Sequence, residues 1–254
     1  KPQAYIEFSS REFEPFVGVP AQRLNSLSFL ALSTPVTSRV AVGVMTNQFL
    51  NYDDTFLQFT GRSIGGSVSA AVSPKVRVGV TVSADRLHQP VECDVDCTHW
   101  GVSFVVGVLA KPNDQLSVGV AVTKGSDHEE SFGFNTPNRV GGGVGYRPTS
   151  RLLVAIDGNW IQSSNILPGV GLEDVTEVHA GGEYLLLGGA NQLFVRAGGY
   201  ATSKEEKSNP DVPPVPATAG TVGLGYTVGQ RFQTDIAYVS AGNAVIVSGA
   251  FRFR

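Results

Sequence analysis

Apolar and polar positions alternate along most of the chain with a period of two, the spacing that sends successive side chains to opposite faces of a β-strand. Val76, Val78, Val80 and Val82 interleave with Arg77, Gly79, Thr81 and Ser83; Leu116, Val118, Val120 and Val122 interleave with Ser117, Gly119, Ala121 and Thr123. The same rhythm carries Trp100, Val102, Phe104, Val106 and Val108, then Leu152, Val154, Ile156 and Trp160, then Val222, Leu224, Tyr226 and Val228. Each segment has one apolar face and one of small or polar residues, and helical periodicity is nearly absent. At the end of the sequence Val245, Val247, Phe251 and Phe253 alternate with Ile246, Ser248, Ala250 and Arg252, one more strand of the same kind. At Gly65-Gly66 the alternation reads as out of phase with Val68, Ala70 and Val72, which predicts a bulge or a kink there.

Connections between these segments alternate in length. Short ones, rich in Pro, Gly, Asn and Ser, fall at Thr34–Thr37, Ser73–Lys75, Lys111–Asp114, Arg147–Ser150, Leu187–Asn191 and Val228–Gln230. Between them lie mostly longer and more polar stretches around 10–23, 49–55, 86–98, 125–137, 163–174, 203–216 and 240–243. Short turns on one rim and long loops on the other are the habit of outer-membrane barrels, and the segments add up to about fourteen strands, an even number that brings both termini to the short-turn side.

Composition narrows the choice. Of 254 residues, 42% are hydrophobic and only 16% charged, with 30 glycines, yet no apolar run reaches the length of a spanning helix. A membrane protein of this composition must therefore be a closed barrel. Aromatic placement separates that reading from a soluble all-β fold. On the apolar face Trp100, Trp160 and Tyr238 fall beside the long loops, while Tyr146, Tyr184, Tyr226 and Phe253 fall beside the short turns, as two girdles at headgroup level would. The expected fold is all-β: a transmembrane antiparallel up-and-down barrel occupying 1–254 as one domain. Its expected place is the bacterial outer membrane, among lipid and lipopolysaccharide, with periplasmic termini. Lys1-Pro2-Gln3 shows no charged-then-apolar secretion pattern, so export follows from the barrel reading and is not displayed by these residues. A net charge of −3 without a basic block argues against a nucleic-acid partner.

Cys93 and Cys97 sit close together in a polar stretch, Glu92-Cys93-Asp94-Val95-Asp96-Cys97. A lone close pair in an exported protein is expected to form a local disulfide. The alternative is a metal site with Asp94, Asp96 and His99, against which stands the lack of a second ligand pair at the spacing zinc sites show. No metal or cofactor is expected. Neither Gly-x-Ser-x-Gly nor His-Glu-x-x-His occurs, and four histidines and scattered serines make no spaced motif, so no catalytic residues are assigned and an enzyme is not expected.

Function must then sit on the inward face. Alternation points Arg77, Arg139, Asp157, Asn159, Glu177, His179, Glu183, Arg196, Gln233, Asp235 and Arg252 inward, with both signs of charge, as cross-lumen ion pairs require. Of these, Arg139, Asp157, Glu177, His179, Glu183, Arg196 and Asp235 are the candidates for lining a path; the alternative is a hydrated network that keeps the barrel round. Inward glycines such as Gly141, Gly143, Gly145, Gly181, Gly198, Gly223 and Gly225 leave room for a ligand, water or a plug.

Several stretches resemble the second half of FadL-type outer-membrane transporters of long-chain fatty acids and other hydrophobic compounds. They are Pro137–Pro148 with its Gly-Gly-Gly-Val-Gly-Tyr run, Leu152–Asp157, Val178–Tyr184 with Gly-Gly-Glu-Tyr, and Leu193–Tyr200 with Arg-Ala-Gly. The resemblance covers the last half to two-thirds of the chain and implies a fourteen-stranded barrel passing fatty-acid-like hydrophobic molecules. It also implies an N-terminal hatch with an Asn-Pro-Ala motif and a long helical insertion in the early loops. Neither is visible here, where a strand begins at once with Ala4, Ile6 and Phe8. A structural barrel that scaffolds an assembly through protein partners at its loops or rim is the alternative function.

Overall fold

The computed structural model describes residues 3–13, 22–53, 58–88, 98–127, 135–162, 174–203, 218–229, 231–240 and 244–252. These form fourteen strands and no helix: β1 (Gln3–Phe13), β2 (Gln22–Pro35), β3 (Val40–Asp53), β4 (Gln58–Ser73), β5 (Val76–His88), β6 (Thr98–Ala110) and β7 (Leu116–Lys124) in the first half. The second half holds β8 (Asn138–Tyr146), β9 (Leu152–Gln162), β10 (Val175–Leu187), β11 (Gln192–Thr202), β12 (Thr218–Val228), β13 (Phe232–Val239) and β14 (Ala244–Arg252). Every strand pairs antiparallel with its sequence neighbours, and β1 pairs with β14, from Gln3 opposite Arg252 to Ser10 opposite Val245, so the sheet closes. Closure leaves no edge strand, which is what allows a sheet to sit in hydrocarbon.

The burial pattern is inverted relative to a water-soluble protein. Among the described residues only Leu87, Ile161 and Ala219 are buried apolar side chains, whereas 36 large apolar side chains are exposed. Most of them are the outward halves of the alternating strands: on β6 Trp100, Val102, Phe104, Val106 and Val108 are all exposed. Trp100, Trp160 and Tyr238 stand at the long-loop end of that surface and Tyr146, Tyr184 and Tyr226 at the short-turn end, each at least 40% exposed. On β9 Trp160 lies eight positions along the strand from Leu152, the cross-strand partner of Tyr184. That is about 26 Å along a strand and roughly 20 Å along the axis at a tilt of about 40°, close to the height of an outer-membrane apolar band. Among the described residues no helix is long and apolar enough to cross a membrane. Phe253 lies outside the described residues, as do Cys93 and Cys97 with the disulfide expected of them.

The short rim is held by side chains that satisfy turn amides. Thr37 Oγ1 accepts hydrogen bonds from the amides of Arg39 (3.1 Å) and Val40 (3.0 Å), Asn113 Oδ1 from Gln115 and Leu116 (both 2.9 Å), and Thr149 Oγ1 from Arg151 (3.2 Å) and Leu152 (3.1 Å). Gly189 (φ 123°) and Gly229 (φ 56°) supply left-handed backbone in two other turns. The first turn lies at 36–39, two residues later than its sequence signal, because Thr34 and Pro35 still pair with Val42 and Ala41. The kink expected at Gly65-Gly66 is absent. Both glycines pair in register with Met45 and Val44 and with Ser83 and Val82, and Ile64, exposed like Val68 and Val72, shows that the alternation runs through in phase. Register shifts occur instead at Glu7/Phe8, Gln48/Leu50, Ala71/Ser73 and Leu185/Leu187.

Candidate functional site

The lumen has two walls of different chemistry. Along β5 to β9 many inward residues are small: Gly79 and Thr81, Gly107, Gly119 and Ala121, and Gly141, Gly143 and Gly145. Their lack of bulk leaves a cavity of about 860 Å³. Two of the polar groups in it, Asp157 and Asn159, lie against those glycines. A Cβ on Gly143 would lie 2.7 Å from Asp157 Cβ, and one on Gly141 would lie 3.2 Å from Asn159 Cγ, so both β9 side chains fold down over β8 only because the facing positions are glycine. Arg77, near the short turns, and Arg139, near the long loops, also line this cavity.

Along β10 to β13 the wall is charged. Arg196 on β11 donates from Nε to Glu183 Oε2 on β10 at 2.7 Å and from Nη1 to Asp235 Oδ1 on β13. Gln233 Nε2 donates to the other Asp235 oxygen at 2.9 Å. The Arg196 to Asp235 link skips a strand. It is possible because β12 presents Gly223 and Gly225 beneath it: a Cβ on Gly225 would sit 3.0 Å from Arg196 Nη1 and would also strike Asp235. The Arg196 guanidinium further lies 5.8 Å from the centre of the Phe194 ring, within cation–π range. Nearer the long loops, His179 Nδ1 is 2.8 Å from Asp157 Oδ1 and its Nε2 is 4.0 Å from Glu177 Oε2, with the Tyr200 ring 5.8 Å away. A second cavity of about 430 Å³ lies against this wall, and Leu153, Ala155 and Asp157 line both cavities.

No family model and no curated protein matches this sequence. Solved structures do. The chain superposes on the CymD monoaromatic hydrocarbon channel with a TM-score of 0.74 at 14% identity, covering 100% of this chain and 88% of that one. It superposes on the Ralstonia pickettii toluene transporter TbuX with a TM-score of 0.71 at 13% identity (100% and 89% covered). For a Pseudomonas aeruginosa FadL homologue the values are 0.69 and 11% (100% and 90%).

The chain has the FadL-type barrel fold.

Within this FadL-type barrel the seven residues singled out from the sequence all face the lumen, but they do not form one site. Glu183, Arg196 and Asp235 make one ion-paired group, Asp157, Glu177 and His179 make a second, and Arg139 stands apart on β8 in the larger cavity. Sequence reading missed Tyr200 and Phe194, inward aromatics on β11 that alternation alone would have flagged, since they share its face with Arg196. It also missed the inward set Ser63, Ser83, Asp85 and Leu87, all at most 9% exposed, which packs the lumen near the long-loop end of β4 and β5. Its signal is the reversal on β5, where the outward series Val76 to Ala84 gives way to Arg86 and His88 while Leu87 turns inward. Among the described residues no group of three or more His, Cys, Asp or Glu is placed to hold a metal ion.

Proposed function

We propose that this barrel is a passage for hydrophobic small molecules across the bacterial outer membrane, oriented with its short turns and both termini in the periplasm. The observation that carries the reading is the larger cavity: about 860 Å³ opened by inward glycines and alanines such as Gly79, Gly107, Gly119, Ala121, Gly141 and Gly143, in a barrel whose other wall carries the ion pairs. That volume lies in the range of roughly 300–1,000 Å³ usual for small-molecule sites. Polar side chains such as Arg77, Thr81, Arg139, Asp157 and Asn159 also line the cavity, but most of the surface it exposes is apolar, so an apolar solute loses little on entering. The opposite wall sets Arg196 between Glu183 and Asp235 and His179 between Asp157 and Glu177, so it carries both signs of charge and no ring of basic residues. Two of the similar solved structures are named for a monoaromatic hydrocarbon and for toluene, which supports compact aromatic compounds within the cargo class. On this reading the chain is a conduit and not an enzyme, its outer face is solvated by membrane lipid and lipopolysaccharide, and Arg139, Asp157, Glu177, His179, Glu183, Arg196 and Asp235 border the path.

The test is uptake of labelled toluene and of a labelled fatty acid by cells that lack their own hydrophobic channels. Expression of the protein should raise the rate for at least one of them, and Ala121→Trp, which fills the larger cavity, should remove the gain while the barrel still inserts. Uptake equal to that of cells without the protein, for both compounds, contradicts the proposal.

A further inference from the structure

The outward apolar band ends abruptly on β4 to β6. Ile64, Ala84 and Val102 form one cross-strand row, with Ile64 and Val102 62% and 63% exposed. The next row toward the long loops is Arg62, Arg86 and Trp100. Arg62 and Arg86 are direct register partners, so their Cβ atoms are about 5 Å apart, an arrangement that is destabilising for like charges unless something neutralises it. One step further out, Thr98 Oγ1 lies 3.0 Å from His88 Nδ1 and 3.5 Å from Arg86 Nη2, which draws the Arg86 guanidinium and the His88 ring toward one hydroxyl. Among the described side chains neither Arg62 nor Arg86 has a carboxylate within ion-pair distance.

We propose that Arg62 and Arg86, flanked by Thr98 and His88, bind the phosphate of a phosphorylated glycolipid headgroup, that of lipid A, in the outer leaflet. The inference rests on reading the shell as an outer-membrane barrel with its long loops outside. Depth and chemistry agree on the occupant. Trp100, in the same row, marks the level at which amphipathic rings meet headgroups, and the apolar row directly beneath would lie against acyl chains. A lipid phosphate at that level carries the negative charge that the opposed arginines lack, and guanidinium forks match phosphate oxygens in paired hydrogen bonds. Binding would turn a repulsive pair into a clamp and fix lipid at β4 and β5.

The experiment uses the full chain, purified in detergent, with diphosphoryl lipid A, enzymatically dephosphorylated lipid A and inorganic phosphate as probes, and native mass spectrometry as the readout. Wild type should hold diphosphoryl lipid A about tenfold more tightly than the dephosphorylated form, the scale of one charged hydrogen-bonded contact, and the Arg62→Gln/Arg86→Gln double variant should lose that difference. Inorganic phosphate at the lipid's concentration should not compete. In lipid-free detergent the double variant should unfold at the wild-type temperature or above, because it removes a like-charge pair. Equal binding of the two lipids, retention of the difference by the double variant, or competition by inorganic phosphate overturns the proposal. So does a double variant that is less stable without lipid, because carboxylates of the chain itself would then be holding the arginines. A protein that stays monomeric in water without detergent would bring down the outer-membrane reading; a detergent-dependent barrel that binds both lipids alike brings down only this site.

Discussion

Replacing Gly225 by alanine tests whether the charged wall exists as drawn. The new methyl group would lie 3.0 Å from Arg196 Nη1 and closer still to Asp235, so the guanidinium cannot keep its bond across β12. Overpacking of this kind costs about 1–3 kcal/mol. Part of that cost is the lost ion pair. The side chains of Arg196, Glu183 and Asp235 are 34%, 24% and 17% exposed. The pairs therefore belong between surface bridges, worth about 0–1 kcal/mol, and buried ones, whose breaking costs about 3–5 kcal/mol; a loss of about 2 kcal/mol follows. In an Arg196→Met background the clamp is already gone and Asp235, tied by Gln233 but no longer by Arg196, can turn aside, so Gly225→Ala should cost markedly less. The assay is urea unfolding of the barrel in phosphocholine vesicles, followed by the fluorescence of Trp100 and Trp160, for both single variants and the double. A coupling of at least about 1 kcal/mol is expected; additivity within about 0.5 kcal/mol refutes the strand-skipping link.

The lipid face and the lumen should respond oppositely to charge: Val106→Arg, in the middle of the outward series of β6, should cost about 2–4 kcal/mol in the same unfolding assay, whereas Thr81→Lys on the lumen face should cost less than about 1 kcal/mol. At the short rim, Asn113→Ala removes two amide partners in an exposed turn and should lower stability by about 1 kcal/mol. Gly189→Ala, at φ 123°, should lower it by a similar amount, about 1 kcal/mol or somewhat more, read as an earlier midpoint in urea. Ala121→Trp should reduce uptake of an apolar solute several-fold with no loss of heat-modifiable gel mobility, which separates a blocked lumen from a misfolded barrel.

Much of this architecture is legible in the residues because a lipid-facing strand obeys a strict rule. Val76 to Val82 must be apolar at every second place, and turns such as Asn113–Gln115 and Thr149–Arg151 must carry a side chain that accepts amide hydrogens. What the sequence hides is everything set by register. Arg196 and Asp235 are separated by 39 residues and by a whole strand, and nothing local in either segment announces their contact; the only hint is the inward glycine pair Gly223 and Gly225 between them. The opposition of Arg62 and Arg86 likewise depends on how β4 and β5 are aligned. Gly65-Gly66 misled for a related reason. A glycine carries no face of its own, so two in a row look like a break, although Ile64 and Val68 on either side hold the same phase. The seven lumen residues were found by alternation alone, which assigns a face but gives no partners, and so could not divide them into two ion-paired groups and a separate arginine.

The most direct test of the account is a cysteine scan of positions 102 to 108 on β6, in protein with Cys93 and Cys97 replaced by serine and reconstituted in brominated-lipid vesicles. A probe at Val102, Phe104, Val106 and Val108 should be shielded from a water-soluble thiol reagent and quenched by the lipid, while one at Ser103, Val105 and Gly107 should react and escape quenching. Uniform reactivity along the strand, or the opposite phase, would contradict a barrel whose apolar face meets lipid and whose glycine-lined face encloses the path.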